Sequence, residues 1–233
     1  MPKIYLLRSK INLKDIDYFY ISDPKKWQIE ILKILGINKN KLLSSKKYNH
    51  IFADEIYAVD HPWYNKGFVY YNVKKIPKWI IHKNRETFFY KSKHNSKKKI
   101  FLDRSLSSYN HCQIGNIEVV NKLIAKKKVK SYRTEKLSLK SKINLLRNSA
   151  VVIGAHGAAF ANIIFCRPKT KIIEIIPANH PNKQCERISK ILNLRYFRIK
   201  TKPNESDINY PFKIYLENKD LILIEKAIDL NYF

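Results

Sequence analysis

The sequence predicts an α/β protein built on a doubly wound parallel sheet, and three observations carry that prediction. Strand and helix patterns alternate through residues 100–200. The strands are near-continuous apolar runs, as strands covered on both faces must be. The central strand, 150–153, runs straight into a glycine turn, Gly154-Ala155-His156-Gly157, and then a small-residue helix over 158–165. A second apolar run, Lys171-Ile172-Ile173-Glu174-Ile175-Ile176-Pro177, follows with one carboxylate in its middle.

Taken in order, residues 3–7 and 16–21 read as short strands, being aromatic and β-branched. Asp23-Pro24 has the form of a helix start, an acid before proline at the first helical position. Trp27, Ile31, Ile34 and Leu35 recur on one helical face, and Gly36 ends that helix. Residues 53–59 read as another strand leading into Asp60-His61-Pro62-Trp63. Pro77 opens a second helix with Trp79, Ile80, Phe88 and Phe89 as apolar contacts. Residues 91–99 are polar, lysine-rich and aperiodic, a solvated linker that lacks the interleaved aromatics of a nucleic-acid patch. The expected division is therefore 1–92 and 93–233. In the second part, 100–102 is a strand ending in Asp103-Arg104. Ile117, Val120, Leu123 and Ile124 mark a helix, and 130–133 a strand. Ser138 caps a helix that turns Leu139, Ile143 and Leu146 inward. After the central strand, turn and helix come the strand 171–176, a helix over 184–192, a strand over 195–199 and a closing helix over 221–230.

The 233 residues can bury one large core or two small ones. The formal charge is +27, from 46 basic against 19 acidic residues. That excess suits anionic partners: nucleic acid, an acidic membrane surface or phosphorylated substrates. Lysine supplies 37 of the 46, alongside abundant isoleucine and asparagine, and an AT-rich genome gives the same bias without any selected ligand. Cys112, Cys166 and Cys185 are odd in number and lack CxxC spacing, which argues against a disulfide framework and a zinc knuckle and fits a reducing compartment. The opening residues are too short an apolar run for a signal-peptide core, and no run approaches the ~20 residues that span a bilayer. A cytoplasmic chain is expected, with peripheral contact to anionic lipid open to its basic surface.

Ligands of an open parallel sheet bind beyond the carboxyl ends of its strands. Arg104 and His156 fall there, and Glu174 lies inside the next strand, where a buried carboxylate needs a partner. Plainer readings stand beside these: Glu174 in an ion pair with a lysine or arginine, and His156 as a turn residue bonded to backbone. Gly154 and Gly157 at a strand–helix junction suit close approach of backbone to a ligand. Asn162, among apolar residues, either binds or braces the loop before it. Gly154-x-x-Gly157 is not a dinucleotide fingerprint, and there is no phosphate loop of the GxxxxGK type. Asp15-Ile16-Asp17 precedes its strand and reads as solvated loop. His111-Cys112 has no partner at metal-ligand spacing.

The block from Val152 to Phe165, followed by Lys171-Ile172-Ile173-Glu174-Ile175, resembles the hallmark block of glycosyltransferase family 61, of the capsular-polysaccharide type. Ile100-Phe101-Leu102-Asp103-Arg104 is similar to that family's strand ending in arginine, Asn116-Ile117-Glu118-Val119 to its helix-start asparagine and acid, and Leu137-Ser138 with residues 143–150 to the element before the glycine block. Trp27-Gln28-x-Glu30-x-Leu32-x-x-Leu35-Gly36-Ile37 resembles a helix of its first half. The resemblance runs over about residues 25–200. Two departures accompany it. His111-Cys112-Gln113-Ile114-Gly115-Asn116 lacks the arginine usual before the asparagine, and nothing before Trp27 resembles the family's early His-Trp segment.

The resemblance implies two Rossmann-like halves in a GT-B arrangement, with the first half shortened: 1–92 on the acceptor side, 93–233 binding the nucleotide sugar. It implies inverting transfer of a hexose or pentose from a nucleotide sugar to a glycan or lipid-linked hydroxyl, without metal or other cofactor. On that footing His156 and Arg104 are the expected catalytic residues. With the Gly157 and Ala158 N–H groups they would hold the diphosphate, Glu174 would accept from ribose hydroxyls, and Gly154, Asn162 and Asn116 would complete the substrate-binding set. Asp54, Glu55, Asp60 and His61 are the candidates for general base. Two other readings remain open, a basic nucleic-acid-binding α/β module and an inactive nucleotide-binding remnant.

Overall fold

The computed structural model describes residues 1–64, 66, 72–88, 98–105, 112–203 and 213–230. The chain separates into two compact units, Met1–Gly67 with Pro77–Phe89, and Phe68–Ile76 with Tyr90–Phe233.

The first unit holds helices α1 (Pro2–Arg8), α2 (Lys26–Ile34) and α3 (Lys78–Thr87) and a parallel pair of short strands, β1 (Phe19–Ile21) and β2 (Leu42–Ser44). Residues 3–7 are thus helical rather than the strand expected of them. Proline at the first helical position sets φ for a helix. Tertiary contact then overrides the weak local preference, with the Tyr5 hydroxyl reaching Asn84 Oδ1 and Thr87 Oγ1, each at 3.0 Å. α2 is capped at Lys25 rather than Asp23, which instead pairs with Lys46 on the surface. Its expected apolar face is only partly inward, since Trp27 and Ile34 are exposed while Leu35 and Ile37 are buried. Gly36, at φ +87°, ends it. Residues 53–59 form no strand: they lie in irregular chain, and Phe52, Ile56 and Tyr57 beside and within them are exposed.

The second unit is organised by five parallel strands: β3 (Lys98–Leu102), β5 (Lys130–Tyr132), β6 (Ser149–Ala155), β7 (Lys171–Pro177) and β8 (Arg195–Thr201). Their spatial order is β5-β3-β6-β7-β8, a 2-1-3-4-5 arrangement. Every residue of β7 is buried, and all but one of β6. That is why these strands read as unbroken apolar runs. The period of two sends Val151, Ile153, Ile173, Ile175 and Ile199 to one face, against Val120 and Ile124 of α4 (Ile117–Lys126) and Ile224, Ala227 and Ile228 of α7 (Asn218–Asp229). The opposite face takes Val152, Gly154, Ile172 and Glu174, under a 3₁₀ helix (Ala158–Phe165) that packs on α5 (Leu139–Arg147) and α6 (Gln184–Leu192). Each fully buried aliphatic or aromatic side chain here contributes roughly 1.5–3 kcal/mol.

The segment 158–165 is a 3₁₀ rather than an α-helix, and its burial fits three residues per turn: Phe160, Ile163 and Cys166 are each 0% exposed. Gly154 lets it approach the sheet, because a Cβ there would lie 2.7 Å from the Phe160 ring and 3.0 Å from the Leu102 carbonyl. Lys171 is buried at the start of β7 and its ammonium caps α7, donating to the carbonyls of Ala227 (3.1 Å) and Ile228 (2.6 Å). A short parallel pair, β4 (Gln113–Ile114) with β9 (Lys213–Ile214), stands beside the main sheet. Residues 91–97 of the expected linker, together with Phe89 and His111, lie outside the described residues. Among the described residues no helix is long and apolar enough to cross a membrane.

Candidate functional site

In a 2-1-3-4-5 sheet the crossovers from the first and third strands leave in opposite directions, opening a crevice beyond their carboxyl ends. Here those strands are the neighbours β3 and β6, with Leu102 paired to Gly154 at their last register position. Arg104 follows β3, and His156-Gly157 follow β6. The Arg104 guanidinium donates through Nη1 to the His156 carbonyl. It also covers Gly157 so closely that a Cβ there would overlap it. Gly157 has φ +153° and ψ −178°, a region essentially closed to other residues. Backbone conformation and contact therefore both require glycine.

The 3₁₀ helix begins at the next residue, and the first N–H groups of a helix have no carbonyl partner within it. Gly157, Ala158 and Ala159 are at least partly exposed, whereas Ala155 and His156 are buried. Arg104 is half-buried and also lines a narrow pocket with Leu102, Gln113, Ile117 and Ala155. Burial lowers its pKa, opposed by Cys112 and Glu135, yet a guanidinium keeps its charge at any working pH. A fixed cation beside an open helix start is a cradle for an anion.

Behind this turn lies a buried polar cluster. Glu174, paired to Gly154 on β6 and to Arg198 on β8, is 1% exposed. Its Oε1 is 2.7 Å from His156 Nδ1, the Tyr196 hydroxyl donates to Oε2, and the Cys185 thiol donates to the same carboxylate. An unpaired carboxylate at this depth would cost several kcal/mol. Burial pushes its pKa up, but the bond and charge of His156, followed by Tyr196 and Cys185, outweigh it and hold the pKa below the ordinary 4.5. Burial together with the Glu174 charge raises both Tyr196 and Cys185, so each stays a protonated donor.

This depression has a sign. An acid whose folded-state pKa lies below its unfolded value stabilises the fold fully above about pH 5, and the contribution is lost as pH falls through the folded-state value. Urea unfolding between pH 6 and 3 is expected to show Glu174→Gln losing less stability on acidification than wild type. Equal slopes would remove Glu174 from the acid-sensitive set.

His180 was not singled out by the sequence, yet it completes the cluster. It is 5% exposed, with its ring centroid 4.4 Å from that of His156. Its carbonyl accepts from Arg198 Nη2 at 2.7 Å, and its Nδ1 accepts from the Asn182 N–H at 3.2 Å. The available signal was position: His180 follows the β7 run much as His156 follows β6.

The other expected residues have definite places. Asn162 donates through Nδ2 to the Ala159 carbonyl at 3.0 Å, within the 3₁₀ helix. Asn116 pairs with the Leu216 backbone in both directions, at 2.9 and 3.0 Å, continuing the β4–β9 ladder as a strand residue would. That use of both amide ends ties α4 to the start of α7. Gly154 lies in the sheet beneath Phe160, touching protein rather than an open surface. Glu174 is likewise enclosed, so the ribose contact expected of it has no open route. In the first unit, Asp54, Glu55, Asp60 and His61 are all exposed, Glu55 accepting from the Tyr57 hydroxyl at 2.6 Å. Asp15 and Asp17 are exposed ahead of β1.

His156, Glu174 and Cys185 place ligand-type atoms within 4.8 Å of one another. The 2.7 Å between Nδ1 and Oε1 is a hydrogen-bond distance. Two ligands at zinc's ~2.0–2.1 Å bond lengths would stand about 3.3 Å apart. The geometry is that of a proton-sharing cluster.

Comparison with known proteins bears on the family. Residues 1–173 match the family model described as Glycosyltransferase 61. The match starts ahead of the resemblance seen at residues 25–200 and stops one residue short of Glu174. The chain is also similar to a beta-1,2-xylosyltransferase of Arabidopsis thaliana, 35% identical over 60 residues, which cover 26% of this chain and 11% of that protein. Strand, arginine and glycine turn thus fall inside a match of 173 of the 233 residues, and the chain belongs to the glycosyltransferase 61 family.

Proposed function

We propose that this chain transfers a sugar, a hexose or pentose, from a nucleotide-sugar donor to a hydroxyl of a glycan or lipid-linked acceptor. The observation that carries the reading is the convergence of the Arg104 guanidinium with the open start of the 3₁₀ helix at the switch point of the sheet. The acceptor oxygen attacks the anomeric carbon in line, the bond to the diphosphate oxygen breaks on the far side, and the centre inverts. Negative charge grows on the departing diphosphate. Arg104, the Gly157 and Ala158 N–H groups and His156 would stabilise it, which is the task a metal performs elsewhere. The acceptor's proton passes to a general base, for which Asp54, Glu55, Asp60 and His61 are the candidates. We assign the chain to the GT-B class, with residues 1–92 on the acceptor side and 93–233 on the donor side. We place the reaction in surface or capsular polysaccharide synthesis on the cytoplasmic side. There the basic surface would gain about 1 kcal/mol per lysine near anionic lipid.

Thermal unfolding with UDP, GDP and CMP tests this. A one-site ligand at about 100 times its Kd adds roughly 2.7 kcal/mol, and at ~2–4 °C per kcal/mol the Tm rises by about 5–11 °C. At least one nucleotide is expected to do so, and equally in EDTA. No response to any of them would overturn the reading. A response abolished by EDTA would overturn its metal independence.

A further inference from the structure

The enclosed carboxylate at 174 raises a question that the diphosphate cradle alone does not answer: what a negative charge does directly behind an anion site. Three donors from three different elements converge on it. His156 comes from the turn after β6, Cys185 from the first turn of α6, and Tyr196 from β8. A carboxylate accepts only, so each neighbour must present a hydrogen to it. For His156 this places a proton on Nδ1 in either protonation state, so Nε2 is the nitrogen left to meet anything beyond the cluster, as an acceptor in the neutral ring and as a donor to a phosphate oxygen once it too is protonated. With the carboxylate 1% exposed and both oxygens engaged, no sugar hydroxyl has access to it.

We propose that Tyr196 and Cys185, acting through Glu174, are positioning residues for His156: they anchor a carboxylate whose purpose is to orient the imidazole so that Nε2 faces the diphosphate, and Glu174 itself touches no part of the donor. The inference rests on the donor-site reading above. It reassigns Glu174 from the ribose to the leaving group. The ionised state the cluster requires agrees with the lowered pKa of the carboxyl and with the raised pKa values of Tyr196 and Cys185, which hold their protons. His180 packs on the same imidazole, with ring centroids 4.4 Å apart, and its own Nδ1 accepts from the Asn182 N–H.

Two ligands and one spectrum test this. The ligands are inorganic pyrophosphate and whichever of UDP and GDP binds the wild type more tightly. Their affinities are measured by calorimetry on the full chain for wild type, Glu174→Gln and Tyr196→Phe. A positioning role acts on the phosphate contact, so Glu174→Gln is expected to weaken pyrophosphate and nucleotide by the same factor, about tenfold or more, and Tyr196→Phe both by a smaller common factor. In a His156→Ala background neither change is expected to weaken binding further, because residues acting as one unit are not additive. A ribose contact predicts the opposite pattern, in which Glu174→Gln weakens the nucleotide and leaves pyrophosphate unchanged, and that result would overturn the proposal.

The spectrum is the ¹⁵N signal of the His156 imidazole, assigned by its loss in His156→Ala and recorded without ligand. The neutral ring is expected in the Nδ1–H form in wild type and as a mixture of tautomers in Glu174→Gln. An Nε2–H ring in wild type would overturn the proposal whatever the affinities show. Should Glu174→Gln fail to fold, Tyr196→Phe and the wild-type spectrum still decide it. Should wild type bind neither pyrophosphate nor nucleotide, the donor-site reading fails, while the spectrum still reports whether Glu174 orients His156.

Discussion

Arg104→Ala is expected to remove nucleoside-diphosphate binding while leaving the chain folded. Truncating one partner of a desolvated, hydrogen-bonded charge contact costs about 2–5 kcal/mol of binding. At ~1.4 kcal/mol per decade this is a loss of roughly 30-fold to several thousand-fold. Within the described residues the guanidinium donates to one acceptor, the His156 carbonyl on the partly open turn. Losing a bond of that kind costs about 1.5–3 kcal/mol of stability, or roughly 3–12 °C in Tm. The chain should therefore remain cooperative in unfolding and lose its nucleotide response. Arg104→Lys restores a charge without the planar fork and is expected to recover only part of the affinity. Normal binding by Arg104→Ala would remove this residue from the site.

Gly157→Ala is expected to have the second large effect, by a different route. The position lies at φ +153°, where a side chain costs about 1–3 kcal/mol. The added Cβ also falls on the Arg104 guanidinium, 2.7 Å from Nη2 and closer to its other atoms. Something must move, and the flexible arginine is the cheaper element to displace. Binding should then fall nearly as far as in Arg104→Ala, with a Tm lowered by about 2–12 °C. Gly36→Ala separates the two causes. Gly36 also has positive φ, +87°, but nothing lies within 4 Å of its missing Cβ. It should show a backbone cost of a similar order with unchanged nucleotide affinity. Were both variants to bind normally, the contact between Arg104 and Gly157 would be incidental to the ligand.

The second unit was largely legible because burial on both faces writes itself into the sequence. β6 and β7 are runs of apolar residues, and the helices between strands carry clear 3.6-residue faces. The first unit was less so. Residues 3–7 hold apolar side chains compatible with either strand or helix, and the contact of Tyr5 with Asn84 and Thr87, about eighty positions away, accompanies the helical choice. Residues 53–59 have strand composition but pair with no strand among the described residues, and composition alone does not supply a partner.

At the site, Arg104, His156, Gly157 and Glu174 could be singled out one by one from residue type and position. Their relations could not. That β3 and β6 are neighbours is a non-local pairing, and only this pairing brings Arg104 onto Gly157. Tyr196 was hidden for the same reason, since a tyrosine on an ordinary strand gives no sign of the carboxylate it will meet on the neighbouring strand. Asn116 shows the converse. The family resemblance put it in the substrate-binding set, and the structure pairs its amide with the backbone of Leu216, a hundred residues on.

The claim at the centre of this account is that the diphosphate of a nucleotide sugar sits at the carboxyl ends of β3 and β6. A crystal structure of the chain with a bound nucleoside diphosphate tests it most directly. The expected result is a β-phosphate oxygen within hydrogen-bonding distance of the Arg104 guanidinium and of the Gly157 or Ala158 N–H, with His156 Nε2 turned toward it. A diphosphate bound elsewhere, with Arg104 still resting on the His156 carbonyl and no phosphate beside Gly157, would contradict it.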